Sequence, residues 1–331
     1  MTLRHVCTVA AAIQAVAAAV VVGFALTLAV PGTSVRATPA PAVPAPGAPA
    51  PSTPSPATPA PLAPTAPGDI SITPGSLIQG DTLIVLVSAS ARASVTVRFD
   101  GTQFPVYATA SRLRRALIGT DPDSATGAHT IKVDVTEEGA APHRVTRLIH
   151  VESGHFMVRN ITLPPETIGL VTSQNLEIER RALGPVLSLR TPVALWQGPF
   201  QPPSAGQMDS PYGFGSFYNG RRMWWHGGAD YADAEGSPIM ATNSGIVALA
   251  QALPLGGNTV VINHGQGVLS EYLHLSAFTV HKGDRVDRGT VIGRMGATGL
   301  VTGPSVHWGL FVNGIPVNPL FWIESRPGLT D

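Results

Sequence analysis

The 331-residue chain is poor in cysteine, in lysine and in charge of either sign. Cys7 is the single cysteine, so the chain cannot form an internal disulfide or a site built from several thiolates. Charged residues make up 13% of the sequence, and 21 basic side chains balance 21 acidic ones. Lysine occurs only at Lys132 and Lys282. A nucleic-acid-binding protein would need a basic patch, so this composition argues against a nucleic-acid partner.

The longest apolar run lies at the N-terminus, from Val6 to about Val30, and follows Arg4. A cleaved signal peptide usually has an apolar core of about 7–15 residues, whereas about 20 residues span a bilayer. Residues 1–30 are therefore interpreted as a signal peptide or a signal anchor, and the length of the run favours an inner-membrane anchor over residues 6–30. Cleavage after Ala37 is the competing interpretation. Both predict an exported protein of the periplasm or cell envelope, whose N-terminal segment engages the membrane or the export machinery.

Proline and alanine dominate residues 31–68. Such a tract cannot bury a core and favours the extended polyproline II conformation, at about 3.1 Å per residue. The tract is predicted to be a linker that holds the folded part away from the membrane. An unstructured spacer whose sequence hardly matters is the alternative.

Residues 69–152 carry the pattern of short β-strands. Apolar and polar side chains alternate in several short segments, and Asp100-Gly101 between two of them is a strong hairpin signal. Several strands in about 80 residues are typical of a small sandwich. We predict an N-terminal β-sandwich of the immunoglobulin-like type, without a catalytic constellation.

The rest of the chain divides into a connector and a second β domain. Within residues 153–195 one helix is predicted from Thr172 to Leu183, with Ser173 as its N-cap and Gly184-Pro185 at its end. Residues 196–323 contain short apolar runs separated by glycine-rich turns, which indicate a curved antiparallel sheet. Residues 324–331 form a tail. The predicted fold class is therefore mainly β.

The most informative motif is His226-Gly-Gly-Ala-Asp230, followed much later by Ser305-Val-His307. Two histidines and one carboxylate suit Zn²⁺, and a fourth position left open for water is typical of a catalytic zinc site. On an extended segment, residues i, i+2 and i+4 share a face, so His226 and Asp230 are expected to point to one site. The same period brings Ser305 and His307 to one face.

These motifs resemble the LytM-type (M23, lysostaphin-like) zinc metallopeptidases. Their order is H-x-x-x-D, then Y-x-H-L, which is Tyr272-Leu-His-Leu275 here, and then H-x-H. Flanking blocks match as well, among them Ser210-Pro-Tyr-Gly-Phe-Gly215 and Lys282-Gly-Asp-Arg-Val286. The resemblance implies an antiparallel, duplicated hybrid-motif-like domain, with Zn²⁺ bound by His226, Asp230 and His307.

The chain departs from the family pattern at one position. The first histidine of H-x-H, which in the family helps to deprotonate the attacking water, is Ser305 here. Serine is not a base near neutral pH, and the loss of a positioned general base could cost about 10²–10⁴-fold in rate. By the resemblance, His274 is catalytic and stabilises the developing oxyanion. Ser305 is either a functional substitute or a sign of lost activity.

The resemblance implies a zinc-dependent endopeptidase that hydrolyses peptide cross-links in peptidoglycan. Its partners would be peptidoglycan stem peptides, together with cell-wall or division proteins, and nothing in the sequence indicates an obligate oligomer. The alternative is a catalytically impaired LytM-type module, because of Ser305, that binds the wall or activates a separate amidase. Zinc content distinguishes the two, because degenerate regulators of this family typically lose metal ligands.

Overall fold

The computed structural model describes residues 68–111, 113–324 and 328–329. The predicted signal or anchor segment and nearly all of the proline- and alanine-rich linker lie outside these residues. Within the described ranges, no helix is both long and apolar enough to cross a bilayer. The described chain is mainly β, as predicted.

The N-terminal strands form two sheets that share one core. One sheet has the order β1-β3-β7-β6 and the other the order β2-β9-β8-β4-β5. Side chains from both sheets, such as Val85 and Val133, meet in one buried cluster, so the predicted β-sandwich is confirmed. Its immunoglobulin-like topology stays a prediction. The strands are β1 (Ile70–Thr73), β2 (Ser76–Ile78), β3 (Thr82–Ser88), β4 (Ser94–Phe99), β5 (Thr102–Phe104), β6 (Tyr107–Ala108), β7 (Leu113–Gly119), β8 (Gly127–Thr136) and β9 (His143–Glu152).

The predicted hairpin turn lies between β4 and β5. Asp100 and Gly101 both have positive φ angles, 46° and 82°. A two-residue turn with positive φ at both positions has the twist that suits antiparallel strands, and Asp-Gly is among the pairs that adopt it most readily. This local prediction is confirmed.

Strand β3 is apolar along its length because both of its faces are buried. Leu83, Val85 and Val87 point into the sandwich core, whereas Ile84 and Leu86 belong to the core of the C-terminal domain. A strand covered on both sides reads as a continuous apolar run rather than an alternating one. The sandwich therefore packs on the C-terminal domain through the outer face of its first sheet.

Arg115 on β7 lies at the contact between the two domains and is fully buried. Its Nε and Nη2 atoms donate hydrogen bonds to Oε1 of Gln266, at 2.9 and 2.7 Å. The guanidinium also lies 4.8 Å from the centre of the Trp196 ring. These contacts satisfy a cation that would otherwise be costly to bury.

The connector contains strand β10 (Val158–Ile161) and two helices, α1 (Pro165–Ile168) and α2 (Ser173–Leu187). The predicted end of α2 at Gly184-Pro185 is wrong, because the helix continues to Leu187 with Pro185 inside it. Val186 and Leu187 pack into a buried cluster with the C-terminal sheet, which holds this last turn. The N-cap is Thr172 rather than Ser173, since the Thr172 side chain accepts a hydrogen bond from the Asn175 backbone.

The C-terminal domain is built on an antiparallel sheet with the order β11-β14-β22-β18-β17-β16-β20, and β23 pairs with β22. Two three-stranded sheets accompany it, β10-β12-β13 and β15-β21-β19. A 3-10 helix, Pro319–Trp322, follows β23. The strands are β11 (Gln207–Ser210), β12 (Gly215–Tyr218), β13 (Arg221–Trp225), β14 (Gly228–Ala232), β15 (Pro238–Met240), β16 (Gly245–Leu253), β17 (Gly257–Gly265), β18 (Val268–Leu275), β19 (Ala277–Phe278), β20 (Arg285–Val286), β21 (Val291–Arg294), β22 (Ser305–Val312) and β23 (Ile315–Val317).

Candidate metal centre

Strand pairing brings the two halves of the motif together. On adjacent antiparallel strands β14 and β22, Asp230 lies directly opposite His307. Residues directly opposite each other point to the same face of a sheet. His226 precedes β14 in the segment that follows β13, where its backbone exchanges hydrogen bonds with Gly213 and Phe214. The three predicted ligands thus come from two paired strands and from the short segment that precedes one of them.

The three side chains form a compact triangle of donor atoms. Asp230 Oδ1 lies 2.9 Å from His226 Nε2 and 2.9 Å from His307 Nδ1, and the two ring nitrogens are 3.0 Å apart. Donor atoms held at 2.0–2.1 Å around a tetrahedral zinc ion would be separated by roughly 3.3 Å. The observed spacing is close to that value, so the residues present fit such an ion.

The outer hydrogen bond of His226 fixes its tautomer. Nδ1 lies 2.8 Å from the carbonyl oxygen of Pro211. A carbonyl can only accept, so Nδ1 carries the proton and donates it. The lone pair of Nε2 then faces the carboxylate of Asp230 and the nitrogen of His307. Lone pairs that converge in this way need a cation or a proton between them. The hydrogen bond from Nδ1 to Pro211, on the far side of the ring, is also typical of a metal-binding histidine.

The electrostatics of the triangle also favour a cation. Burial alone would raise the pKa of Asp230, but the two imidazoles outweigh burial and hold that pKa well below its usual range. Burial lowers the pKa of His226, yet the attraction of Asp230 is stronger and leaves it raised. For His307, burial dominates and lowers the pKa. The site therefore presents an ionised carboxylate beside two buried imidazoles.

A β-bulge aims His274 into the same site. Opposite β17, strand β18 has an extra residue at Leu273 and His274, and His274 has a φ of 68°. A residue with a side chain seldom adopts this region of φ outside turns, and inside a strand such backbone strain is often part of a functional site. The bulge interrupts the usual alternation of side chains, so Leu273 and His274 both line the cavity above the metal-ligand residues.

The His274 ring is held by one hydrogen bond, from Nδ1 to the carbonyl oxygen of Thr298 at 2.8 Å. The proton therefore sits on Nδ1, and Nε2 is left as an acceptor when the ring is neutral. Burial, with the repulsion of His307 second, lowers the pKa of His274 to about 4. His274 is thus a neutral imidazole near pH 7.

Ser305 lies where the strand alternation predicted it, on the cavity wall. Its Oγ makes one long hydrogen bond, 3.4 Å to the carbonyl oxygen of Gly303. Apart from the metal-ligand candidate His307, strand β22 carries no titratable side chain that could replace the missing histidine.

A cavity of about 680 Å³ extends over the three metal-ligand side chains. Sequence reasoning did not identify several of its lining residues, because they come from elements far apart in the chain. Arg159 on β10 lies against the Phe214 ring, 5.4 Å from its centre. Glu179 on helix α2 and Glu271 on β18 line the cavity as well. The lining also includes Tyr218, Trp224, Leu300, Val301 and Thr302.

Comparison with known proteins relates the C-terminal part of the chain to peptidases. Residues 225–319 match the family model described as Peptidase family M23. The chain is 44% identical over 100 residues to the peptidoglycan DD-endopeptidase ShyA of Vibrio cholerae, covering 30% of this chain and 23% of the relative. It is 38% identical over 124 residues to the DD-carboxypeptidase/endopeptidase Mpg of Neisseria meningitidis, covering 38% and 29%.

The fold is similar to a solved structure over most of the chain. A candidate peptidase M23 from Pseudomonas aeruginosa covers 75% of this chain and 95% of its own, with 25% identity and a TM-score of 0.57. The matches to the two curated relatives span less than a third of either relative's length. The C-terminal part of this chain is a domain of peptidase family M23.

Proposed function

We propose that this protein is a zinc-dependent endopeptidase that hydrolyses peptide cross-links in peptidoglycan, within the cell envelope. The observation that carries the proposal is the triangle of His226, Asp230 and His307 under an open cavity. Its donor spacing and the tautomer of His226 suit zinc, and the domain belongs to a peptidase family. The relative ShyA is named as a peptidoglycan DD-endopeptidase, which supports the substrate class.

Zinc, when bound, would polarise the scissile carbonyl and make a water molecule more acidic. The protein side chains then have separate tasks. Asp230 supplies the negative charge of the site, and the carbonyl of Pro211 orients the ring of His226. The resemblance predicted His274 as a donor to an oxyanion, which would need a proton on Nε2. The neutral ring presents an acceptor there instead, so we assign His274 to holding the attacking water by accepting a hydrogen bond from it.

The first test is metal content together with hydrolysis by the purified full-length protein. We expect about one zinc ion per chain, because the site has three protein ligands and an open position. We also expect zinc-dependent release of peptide-cleaved fragments from isolated peptidoglycan. Removal of zinc with a chelator should stop the release, and added zinc should restore it; mass spectrometry of the fragments identifies the bond that is cut.

Other outcomes would support the alternative function. A protein that purifies without stoichiometric zinc, or that binds zinc without any fragment release, would be a catalytically impaired module that binds the wall or activates an amidase. Release that continues after zinc has been removed would contradict the proposal. The specific observation behind the alternative is Ser305, because a serine hydroxyl is not a base near neutral pH.

Ser305→His tests the role of that position. The side chain at 305 points to the same face as His307, so a histidine there would restore, within the cavity, the base that the family pattern has at this position. We expect hydrolysis to rise by about 10-fold to 10²-fold, a fraction of what a positioned base can contribute. Fragment release per bound zinc is the quantity to measure.

Ser305→Ala is the matched control. Because the hydroxyl makes only one long hydrogen bond, its removal should leave zinc content and hydrolysis nearly unchanged. A large loss in Ser305→Ala would show that the serine itself takes part. An unchanged rate in Ser305→His, with zinc bound, would show that no base is missing at this position.

A further inference from the structure

Two buried carboxyl groups also line the cavity over the metal-ligand residues. Glu271 on β18 is 6% exposed and Glu179 on helix α2 is 7% exposed. Glu179 Oε1 accepts hydrogen bonds from the backbone N–H groups of Leu255 and Gly256, at 2.6 and 3.0 Å. Glu271 Oε1 is buried and has no hydrogen-bond partner. A buried carboxyl oxygen without a partner is costly, so its presence on a cavity wall needs an explanation.

The strand register places Glu271 at a defined distance from the metal-ligand residues. Across β18 and β22, Leu273 lies opposite His307 and Glu271 lies opposite Gly309. Glu271 and His307 therefore point to the same face of the sheet, in adjacent rows of side chains. Two residues along a strand correspond to about 7 Å, which is also the length of two residues of an extended peptide.

Glycine keeps the space beside Glu271 open. A Cβ atom at Gly309 would lie 3.5 Å from Glu271 Oε2 and 3.6 Å from Glu271 Cβ. Around the carboxyl groups the wall is apolar and is formed by Leu183 and Leu187 of α2 together with Phe311. The two arginines of the helix are bound by Glu177, on another part of its surface.

An apolar wall that ends in two carboxyl groups matches one kind of ligand, an alkyl chain with a cationic end. A primary ammonium has three N–H donors and can bond to both carboxyl groups, while its methylene groups contact the leucine and phenylalanine side chains. A divalent metal ion would need more oxygen ligands than this apolar wall provides.

We propose that Glu271 and Glu179 form a subsite that binds the side-chain ammonium group of a diamino acid residue in the substrate, one position before the residue that carries the scissile carbonyl. The proposal rests on the proposed function, because it places the substrate peptide along the face of the sheet that carries His307. In this proposal Glu271 determines which substrate binds, and it neither binds the metal nor transfers a proton.

The test compares two peptides that differ in one group. Both mimic a cross-link, and the residue before the scissile D-alanine is lysine in one and norleucine in the other, so only the ammonium differs. With the full-length protein, we expect the lysine peptide to bind about tenfold more tightly, a typical effect of charged hydrogen bonds. Binding is measured on zinc-free protein, and kcat/KM on zinc-loaded protein.

Glu271→Gln should remove the preference for lysine and leave the binding of the norleucine peptide within about twofold, because glutamine keeps the size of the side chain but not its charge. Glu179→Gln should reduce the preference in part. The matched control is Glu177→Gln on the same helix, which should bind and cleave both peptides like the unaltered protein, since Glu177 pairs with Arg180 and Arg181 outside the cavity.

Equal binding of both peptides by the unaltered protein would overturn the subsite, and this result needs no variant. A preference for lysine that survives in Glu271→Gln would overturn it too. So would a metal content above one ion per chain in the unaltered protein that falls by one ion in Glu271→Gln, because the carboxyl groups would then bind a metal ion rather than an ammonium group. The zinc-free binding measurement separates the two proposals. If the protein binds the lysine peptide selectively but hydrolyses neither peptide, the endopeptidase proposal is contradicted and the subsite proposal is kept. If it hydrolyses both peptides with equal kcat/KM, the subsite proposal is contradicted and the endopeptidase proposal is kept.

Discussion

His307→Ala is expected to abolish stoichiometric zinc and, with it, the hydrolysis of peptidoglycan. The change removes one of three converging donor atoms, and His226 and Asp230 cannot hold a zinc ion in a closed geometry by themselves. We expect zinc content to fall below about a tenth of an ion per chain and hydrolysis to fall by about 10³-fold or more. Elemental analysis and fragment release measure the two effects on the same preparation.

The loss should not come from unfolding. His307 lies on β22, where Val306 and Trp308 supply the buried contacts on the other face of the strand. Ser305→Ala, two residues away on the same face, serves as the matched control and should keep both zinc and its melting temperature. Removal of the His307 ring also takes one of two imidazoles away from Asp230, so the pKa of that carboxyl should move back towards its usual range.

Two results would contradict this interpretation. Hydrolysis that persists in a zinc-free His307→Ala protein would mean that the metal is not needed for the reaction. Full zinc content in His307→Ala would mean that the ion is bound by another set of side chains. Loss of zinc and activity together, with an unchanged fold, is the only combination that the proposed site predicts.

Gly228→Ala should have the second-largest effect, through the packing of the centre. A Cβ atom at Gly228 would lie 2.3 Å from the backbone oxygen of Trp308 and 2.7 Å from Nε2 of His307. Both distances are shorter than a Cβ atom can approach another heavy atom, so neighbouring atoms would have to move. One of those atoms belongs to the backbone, which cannot move as easily as the end of a side chain. Strands β14 and β22 would have to separate, and the His307 ring would have to leave its position opposite Asp230.

We expect this methyl group to reduce the free energy of unfolding by about 1–3 kcal/mol, as overpacking of a core typically does. Displacement of a ligand ring should also weaken zinc binding by at least the 10–100-fold that changes around a metal site cost. Thermal unfolding measures the first effect. Competition with a zinc-binding dye measures the second.

Gly227→Ala is the control that makes the prediction specific. At Gly227 the nearest atom to an added Cβ is Cβ of Pro316, at an ordinary 3.6 Å. Neither glycine is among the residues with positive φ, so backbone strain does not distinguish the two positions. A Gly228→Ala protein that bound zinc as tightly as Gly227→Ala would show that the crowding around His307 can relax without loss of the site.

The local features of the fold were predictable from the sequence because their causes are local. Alternation of side chains along a strand has a period of two residues, so Ser94–Phe99 and His129–Val135 could be recognised as strand segments. The Asp100-Gly101 turn could also be recognised, because both residues tolerate positive φ. The end of helix α2 was wrong because tertiary packing of Val186 and Leu187 outweighs the local signal of Pro185.

The identity of the three metal-ligand candidates was also predictable, from residue types and from family resemblance, but their arrangement was not. His226 and Asp230 were expected on one extended segment, yet His226 lies outside β14 and is held by backbone contacts with Gly213 and Phe214. Asp230 and His307 meet because β14 pairs with β22. Pairing between distant strands depends on the closure of the whole sheet, which no local pattern encodes.

The sequence by itself determined the class of fold, the candidate ligands and the departure at Ser305, since these depend on residue type and on spacing along the chain. Only the tertiary structure decided which nitrogen of His274 faces the cavity, because that depends on a bulge and on the distant carbonyl of Thr298. Only the tertiary structure, too, placed Glu179 and Glu271 on one cavity wall. Burial and electrostatic pairing come from side chains that meet after the chain has folded, so the chemistry of a site depends on contacts that sequence distance does not reveal.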